Sequence, residues 1–144
     1  MDEAAAAKRA AGVAQMLFQI GRRVLEKRNA KDLHAVQWSA LRYFARTGRR
    51  TANVNGLSQF LGNTTGSSSR TIKSLVERGL LEGTPSRRDA RSTVIKLTQA
   101  GRRALRKDPL NDIAAVLGGM DPSDLDQLAQ LLDKVDEAMR NARR

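Results

Sequence analysis

Residues 62–98 have the sequence GNTTGSSSRTIKSLVERGLLEGTPSRRDARSTVIKLT, and this stretch decides the fold. Within it Ile72, Leu75 and Val76 recur at spacings of three and four residues. This spacing predicts an amphipathic helix from about Thr65 to Arg78, with one face buried and the other polar. Gly79 follows the last apolar position, where glycine readily adopts the left-handed conformation that ends a helix.

The polar face of this predicted helix has the chemistry of a nucleic-acid contact. No acidic residue precedes Glu77 on it, and short hydroxyl side chains allow a partner to approach the backbone closely. An arginine can donate two parallel hydrogen bonds to a guanine edge or a phosphate. We predict that this face binds DNA, the alternative being an ordinary solvated helix face. The predicted contact residues are Thr65, Ser67, Ser69, Arg70 and Lys73.

A β-hairpin with a basic tip follows the helix. Residues 93–97 alternate in the manner of a strand and are expected to pair with Leu80 to Thr84, which leaves PSRRDARS, residues 85–92, as the tip. Hairpin connections usually span about two to five residues, so a longer basic tip favours a function. In an extended backbone Asp89 can hold the guanidinium of Arg91 in a pose suited to the narrow minor groove. The predicted wing residues are Arg87, Arg88, Asp89 and Arg91.

The basic charge is concentrated in the same part of the chain. Residues 42–107 contain 15 basic and 3 acidic side chains, a net +12, whereas residues 108–144 carry a net −4 and the whole chain a net +11. A solubilising surface would distribute its charge, whereas a surface that binds a polyanion concentrates it.

The segments before residue 62 complete a helix-turn-helix pattern. Residues 35–47 predict a helix with Trp38, Leu41 and either Phe44 or Ala45 inward, and residues 49–53 predict a short extended stretch. Val54, Leu57, Phe60 and Leu61 then mark a short helix that ends at Gly62. Two short helices joined by a tight turn, with the second one basic, are the plan of a helix-turn-helix.

The first and last segments predict helices with apolar stripes. The first runs from Ala4 to about Arg28, and the last follows Asp121 and Pro122 with a heptad-like seam. A second subunit would bury these stripes, although docking of the two helices within one chain is the alternative. The predicted dimer interface consists of Val13, Leu17, Ile20, Leu125, Leu128, Leu132, Val135 and Met139.

Several stretches resemble the MarR family, the multiple-antibiotic-resistance type of bacterial transcription regulators. They are LHAVQWSALRYFA, LSQFLG, SSSRTIKSLVERGLLEG and SRRDARSTVIKLTQAGRRAL, all between residues 33 and 105. The resemblance implies a mainly α fold with a small antiparallel β-wing. It implies that residues 35–98 form a winged helix-turn-helix DNA-binding domain and that residues 1–34 and 99–144 form a helical dimerisation region.

The resemblance also implies functional roles. The helix around Arg70 would occupy the major groove and Arg91 the minor groove, and two subunits would form an obligate homodimer. A small-molecule effector, for example an aromatic one, would bind near Trp38, Arg42 and Tyr43. The expected function is a sequence-specific double-stranded DNA-binding regulator, in most such proteins a repressor, which binds a pseudo-palindromic operator until the effector releases it.

Other functional classes fit less well. A sequence-indifferent architectural, nucleoid-type protein is the alternative, because the serine run offers few bulky side chains for base recognition. An enzyme, a cofactor or a metal site is not expected, because the chain has one histidine, no cysteine and no glycine-rich phosphate loop after a strand. No segment approaches the ~20 apolar residues that span a bilayer, so we expect a cytoplasmic protein without a membrane partner.

Overall fold

The computed structural model describes residues 2–26, 33–87 and 92–143. It confirms a mainly helical architecture with one small antiparallel sheet. The helices are α1 (Glu3–Glu26), α2 (Ala35–Arg46), α3 (Val54–Leu61), α4 (Thr65–Glu77), α5 (Gln99–Leu105), α6 (Leu110–Gly118) and α7 (Pro122–Ala142). The strands are β1 (Leu81–Pro85) and β2 (Thr93–Leu97), and a 3₁₀ turn, Arg49–Thr51, links α2 to α3.

The chain divides into two compact units, residues 1–108 and residues 109–144. The first contains α1 to α5 with the hairpin, and the second contains α6 and α7. Helix α5 packs on α2 and β2 inside the first unit, whereas the predicted division grouped residues 99–108 with the terminal helices. The dimerisation role of the terminal helices stays a prediction.

One hydrophobic core holds the helix-turn-helix and the hairpin together. Leu41 of α2, Leu57 of α3 and Leu75 of α4 are fully buried, so the three helices share the centre of this core. Leu81 and Ile95 close it from the hairpin side. Burial of such side chains is the main favourable term in folding, and it fixes α4 against the rest of the domain.

The hairpin register differs by one residue from the predicted one. Leu81 pairs with Leu97 and Pro85 with Thr93, and the Ser86 N–H donates to the Ser92 carbonyl at 2.8 Å. Leu80 is excluded from the ladder because its N–H donates to the Leu75 carbonyl at 2.9 Å and so completes the end of α4. Gly79 precedes it with φ 73°, the left-handed conformation predicted for this position.

Two local predictions were wrong. Residues 49–51 form a 3₁₀ turn instead of an extended stretch, because the Thr51 N–H donates to the Gly48 carbonyl at 3.2 Å. The exposed fraction is 42% for Val76 and 60% for Phe60, because each lies at the edge of a helix face that is centred on a leucine. In α2 the prediction allowed either Phe44 or Ala45 to lie inward, and the structure has Phe44 there.

Candidate nucleic-acid interface

The start of α4 is fixed by short polar side chains. The Thr64 hydroxyl caps the helix by accepting from the Ser67 N–H at 3.1 Å. Ser68 is fully buried, and its hydroxyl donates to Asn63 Oδ1 at 2.6 Å. Gly62, with φ 66°, ends α3 and allows the tight turn between the two helices. These short polar side chains therefore fix the start of α4 beside the turn that follows α3.

The two sides of α4 have different partners. Ser68, Ile72 and Leu75 face the core, and the other side is polar. Within the described ranges no carboxylate forms an ion pair with Arg70 or Lys73. Their charges are therefore available to a ligand. Of the predicted contact residues, Ser67 is half-buried and the remainder are exposed on one helix, namely Thr65, Ser69, Arg70 and Lys73.

A buried glutamine fixes the middle of α4, and the sequence pattern did not reveal it. Gln37 of α2 is 6% exposed, accepts from the His34 N–H at 2.8 Å and donates to the Ser74 hydroxyl at 3.0 Å. A buried amide without partners would cost free energy, so this bridge specifies the position of α4 relative to α2.

Thr98 joins the end of α4 to the hairpin and to α5. Its hydroxyl donates to the Gly79 carbonyl at 2.6 Å and accepts from the Gly101 N–H at 3.0 Å. Its own N–H donates to the Leu80 carbonyl at 3.1 Å. A side chain at position 101 would collide with that carbonyl oxygen, which explains the glycine. Helix α4 and the wing are thereby held in one fixed relation.

The wing is attached to the rest of the domain through β2. The Ile95 N–H donates to the Ala52 carbonyl at 2.8 Å, next to the 3₁₀ turn. Arg87 is exposed where the tip begins. The predicted wing residues Arg88, Asp89 and Arg91 lie outside the described residues.

The three residues predicted for an effector site each have a structural partner. Trp38 is buried in the core, and the Tyr43 hydroxyl donates to the Thr51 carbonyl at 2.5 Å. Arg42 forms a bidentate pair with Asp108, with Nε to Oδ2 at 2.5 Å and Nη2 to Oδ1 at 2.6 Å. The Asp108 side chain is 6% exposed and that of Arg42 27%. This ion pair, which the sequence did not reveal, connects α2 to the segment after α5.

The predicted dimer residues lie on exposed faces. No residue within Glu3–Glu26 or Pro122–Ala142 is buried in the single chain. Val13, Leu17 and Ile20 are exposed on α1. On α7, Leu125 and Leu128 are half-buried, and the exposed members of the seam are Leu132, Val135 and Met139.

Neither a membrane span nor a metal site is found in the part of the chain that the structure describes. No helix there is long and apolar enough to cross a bilayer. No group of three or more His, Asp or Glu side chains in the same ranges could hold a metal ion.

Comparison with known proteins gives a family match for part of the chain and a fold for most of it. Residues 31–92 match the model of the MarR family. Comparison with curated protein sequences finds no match. The family match covers the helix-turn-helix and most of the wing, which is the part of the chain where the polar face of α4 is built.

Solved structures share the fold over most of the chain. The S. aureus MepR–DNA complex is 15% identical with a TM-score of 0.70, and the alignment covers 88% of this chain and 93% of that one. FabT of Streptococcus pneumoniae in complex with DNA is 16% identical, with a TM-score of 0.68 and coverage of 98% and 99%. PcaV of Streptomyces coelicolor with its natural ligand is 18% identical, with a TM-score of 0.64 and coverage of 88% and 91%.

At these identities the solved structures establish the fold alone. Residues 31–92, which include the helix-turn-helix that the core and the Gln37 bridge hold together, match the model of the MarR family. The chain has the fold of a winged helix-turn-helix protein.

Proposed function

We propose that this protein is a homodimeric, sequence-specific DNA-binding transcriptional regulator of the MarR family that represses its target genes until a small-molecule effector releases it from a pseudo-palindromic operator. A cytoplasmic location and the absence of an enzymatic activity belong to the same proposal. The observation that carries it is the asymmetry of α4. One side is fixed by buried and hydrogen-bonded groups, and the opposite side presents Arg70 and Lys73 without ion-pair partners among the described residues.

The electrostatics support a polyanionic partner. Residues 42–107 carry a net +12, and they include α4 and the whole hairpin. In this proposal Arg70 reads a base edge in the major groove, Lys73 neutralises a phosphate, and the hydroxyls of Thr65, Ser67 and Ser69 allow close approach. Arg87, Arg88, Asp89 and Arg91 form the wing contact with the minor groove.

The terminal helices support a dimer. Exposed leucine, valine and methionine side chains recur along α7 with heptad-like spacing, and α1 has its own exposed apolar stripe. Contiguous apolar surface of this kind is typical of a protein interface. Two recognition helices related by a twofold axis would enter successive major grooves about 34 Å apart. The dimer thereby explains why the operator is expected to be pseudo-palindromic.

The effector site is proposed near Trp38, Arg42 and Tyr43. The solved structure of PcaV contains that protein's natural ligand, which makes ligand binding a reasonable property to test in a protein of this fold. Because Arg42 already holds Asp108, an anionic effector at this place has to exchange with that carboxylate. An effector shifts the dimer away from the DNA-bound form only as far as its affinities for the two forms differ. A thermal-shift screen of aromatic acids tests this part of the proposal, since a ligand of the folded state raises the melting temperature.

A sequence-indifferent architectural protein is the second candidate. It is favoured by the small side chains that surround Arg70, because serine and threonine hydroxyls discriminate poorly among bases. Such a protein would use the same basic surface on any duplex.

Footprinting of the protein on genomic DNA, followed by competition at fixed salt, separates the two candidates. A regulator binds its footprinted sequence at least ~10³-fold more tightly than random DNA of the same length. A ratio near unity would replace the regulator with the architectural protein.

A further inference from the structure

The base of the wing carries a second cluster of positive charge. Arg49, Arg50 and Arg87 line a cleft of about 370 Å³, whose remaining lining residues are Thr84, Pro85, Ser86 and Val94. None of these described lining residues is acidic. Among the described residues, none of the three arginines forms an ion pair.

The cleft lies on the outer face of the hairpin. Ile95 and Leu97 of β2 are buried in the core, whereas Lys96 is exposed and Val94 is half-buried at the edge of the core. Thr84 lies opposite Val94 in the ladder and shares its face. A neighbouring cleft of about 400 Å³ also contains Arg49 and Val94. Lys96 and Arg102 in the lining of this second cleft continue the basic surface, and the same lining includes the acidic residue Glu82.

The turn that carries Arg49 and Arg50 is firmly held. The Tyr43 hydroxyl donates to the Thr51 carbonyl, and the Asn53 side chain donates to the Arg50 carbonyl at 3.0 Å. A side chain at position 56 would collide with the Thr51 carbonyl oxygen, so α3 approaches this turn closely. Two exposed arginines on an anchored backbone need less ordering to bind a ligand than arginines on a loose loop.

We propose that Arg49, Arg50 and Arg87 form a binding site for phosphodiester groups of the duplex backbone beside the wing. The site rests on the proposed function, because a wing in the minor groove has a phosphate backbone on each side of its base. Guanidinium groups suit the phosphate oxygens, since they donate two parallel hydrogen bonds. The contact reads no base and adds affinity for every sequence.

The salt dependence of DNA binding tests this site. Each phosphate contact contributes about 0.9 to the slope of log affinity against log salt, so R49Q/R50Q, which removes two contacts from each subunit of the dimer, is expected to lower the slope by about 3.6. The affinity advantage of the wild type over the variant should therefore shrink roughly 150-fold between 50 and 200 mM salt, on operator and random duplex alike. R49K/R50K, which keeps the charges, should restore the slope. R9Q/R23Q, which removes two exposed arginines from α1, is the control and should leave it unchanged.

The outcomes separate this site from the proposed function. If the wild type prefers its operator and R49Q/R50Q keeps the wild-type slope, the cleft does not hold backbone phosphates and this inference is wrong on its own. If the wild type shows no operator preference, the proposed regulatory function is wrong, and the slope on random duplex still tests the cleft.

Titration with pyrophosphate forms the second arm. Pyrophosphate binding that R49Q/R50Q abolishes, together with an unchanged slope on duplex, would assign the cleft to a free phosphate ligand and overturn the proposal. Equal melting temperatures of the variants and the wild type control for folding.

Discussion

The polar side of α4 and the apolar stripe of α7 are both exposed helix faces, yet their surroundings differ. The opposite side of α4 is completed by its own chain, with Leu75 fully buried and Ser74 bonded to Gln37. Helix α7 has no buried residue, and its apolar positions include Leu132, Val135 and Met139.

This difference indicates which faces need a partner and of what kind. The exposed face of α4 is polar and basic, so water satisfies it until a polyanion binds. The exposed face of α7 is apolar, and its contact with water is unfavourable in a monomer. We infer that the helix-turn-helix folds through contacts within the chain, whereas α7 needs a second subunit, and four variants test this distinction.

The largest effect is expected from charges placed on the α7 stripe. L132R/V135R should give a monomer by light scattering and lower operator affinity by about 10² to 10⁴, because the second half-site is no longer bound intramolecularly. Gln130→Arg adds charge to an exposed polar position of the same helix and should remain dimeric. A dimer that survives L132R/V135R would place the interface elsewhere.

Truncation in the core should reduce stability directly. Leu75→Ala is expected to lower the free energy of unfolding by about 2 to 5 kcal/mol, since it leaves a cavity at a fully buried site. Val76→Ala, one residue further and 42% exposed, should cost less than about 1 kcal/mol. Denaturant unfolding at one protein concentration gives both values. Equal losses of unfolding free energy for the two variants would mean that Leu75 is not buried in the core.

Loss of the Arg42–Asp108 ion pair should lower the free energy of unfolding by less than truncation in the core. Arg42→Met removes the bidentate partner of a buried carboxylate, and we expect a loss of about 2 to 3 kcal/mol. The cost is at the lower end for a buried pair because the Arg42 side chain is partly exposed. Arg46→Met, on an exposed position of the same helix, serves as the control in the same unfolding experiment. A cost no greater than that of the control would show that the pair contributes nothing.

The smallest loss of unfolding free energy is expected at Thr98, where α4, the wing and α5 meet. Thr98→Val keeps the shape of the side chain but removes the hydroxyl that donates to Gly79 and caps α5. The expected cost is about 1 to 2 kcal/mol of unfolding free energy. Thr98→Ser retains the hydroxyl and should lose less than half as much. Equal losses for Val and Ser would exclude the hydroxyl as the cause.

Periodicity and turn residues were enough to predict most elements of this fold. Apolar residues at helical spacing marked α3 and α4, Gly62 and Gly79 marked their ends, and Asp121 with Pro122 marked the start of α7. These signals depend on residues that are close together along the chain, so they can be recognised from the sequence alone. The hairpin register was wrong by one residue because Leu80 is used to end α4, a choice that depends on hydrogen bonds of the folded chain.

The candidate site was predictable only in its surface chemistry. The basic and hydroxyl side chains of α4 follow from helical spacing. The contacts that hold α4 in place, Gln37 to Ser74 and Thr98 to Gly79, join residues 37 and 19 positions apart, so no local pattern reveals them. The same holds for Arg42 and Asp108, 66 positions apart. The cluster of Arg49 and Arg50 with Arg87 likewise appears only when the hairpin folds beside the 3₁₀ turn.

The central claim is that the polar face of α4 reads DNA bases. The preference of the Arg70→Ala variant for operator over random DNA tests this claim most directly. If Arg70 reads a base, the variant loses about 1 to 3 kcal/mol on the operator and much less on random duplex. The ratio of specific to non-specific affinity then falls roughly 5- to 150-fold. Lys73→Ala, as a phosphate contact, should weaken both duplexes by the same factor and leave the ratio unchanged. Equal losses on the two duplexes for Arg70→Ala would contradict the assignment of α4 as the recognition helix.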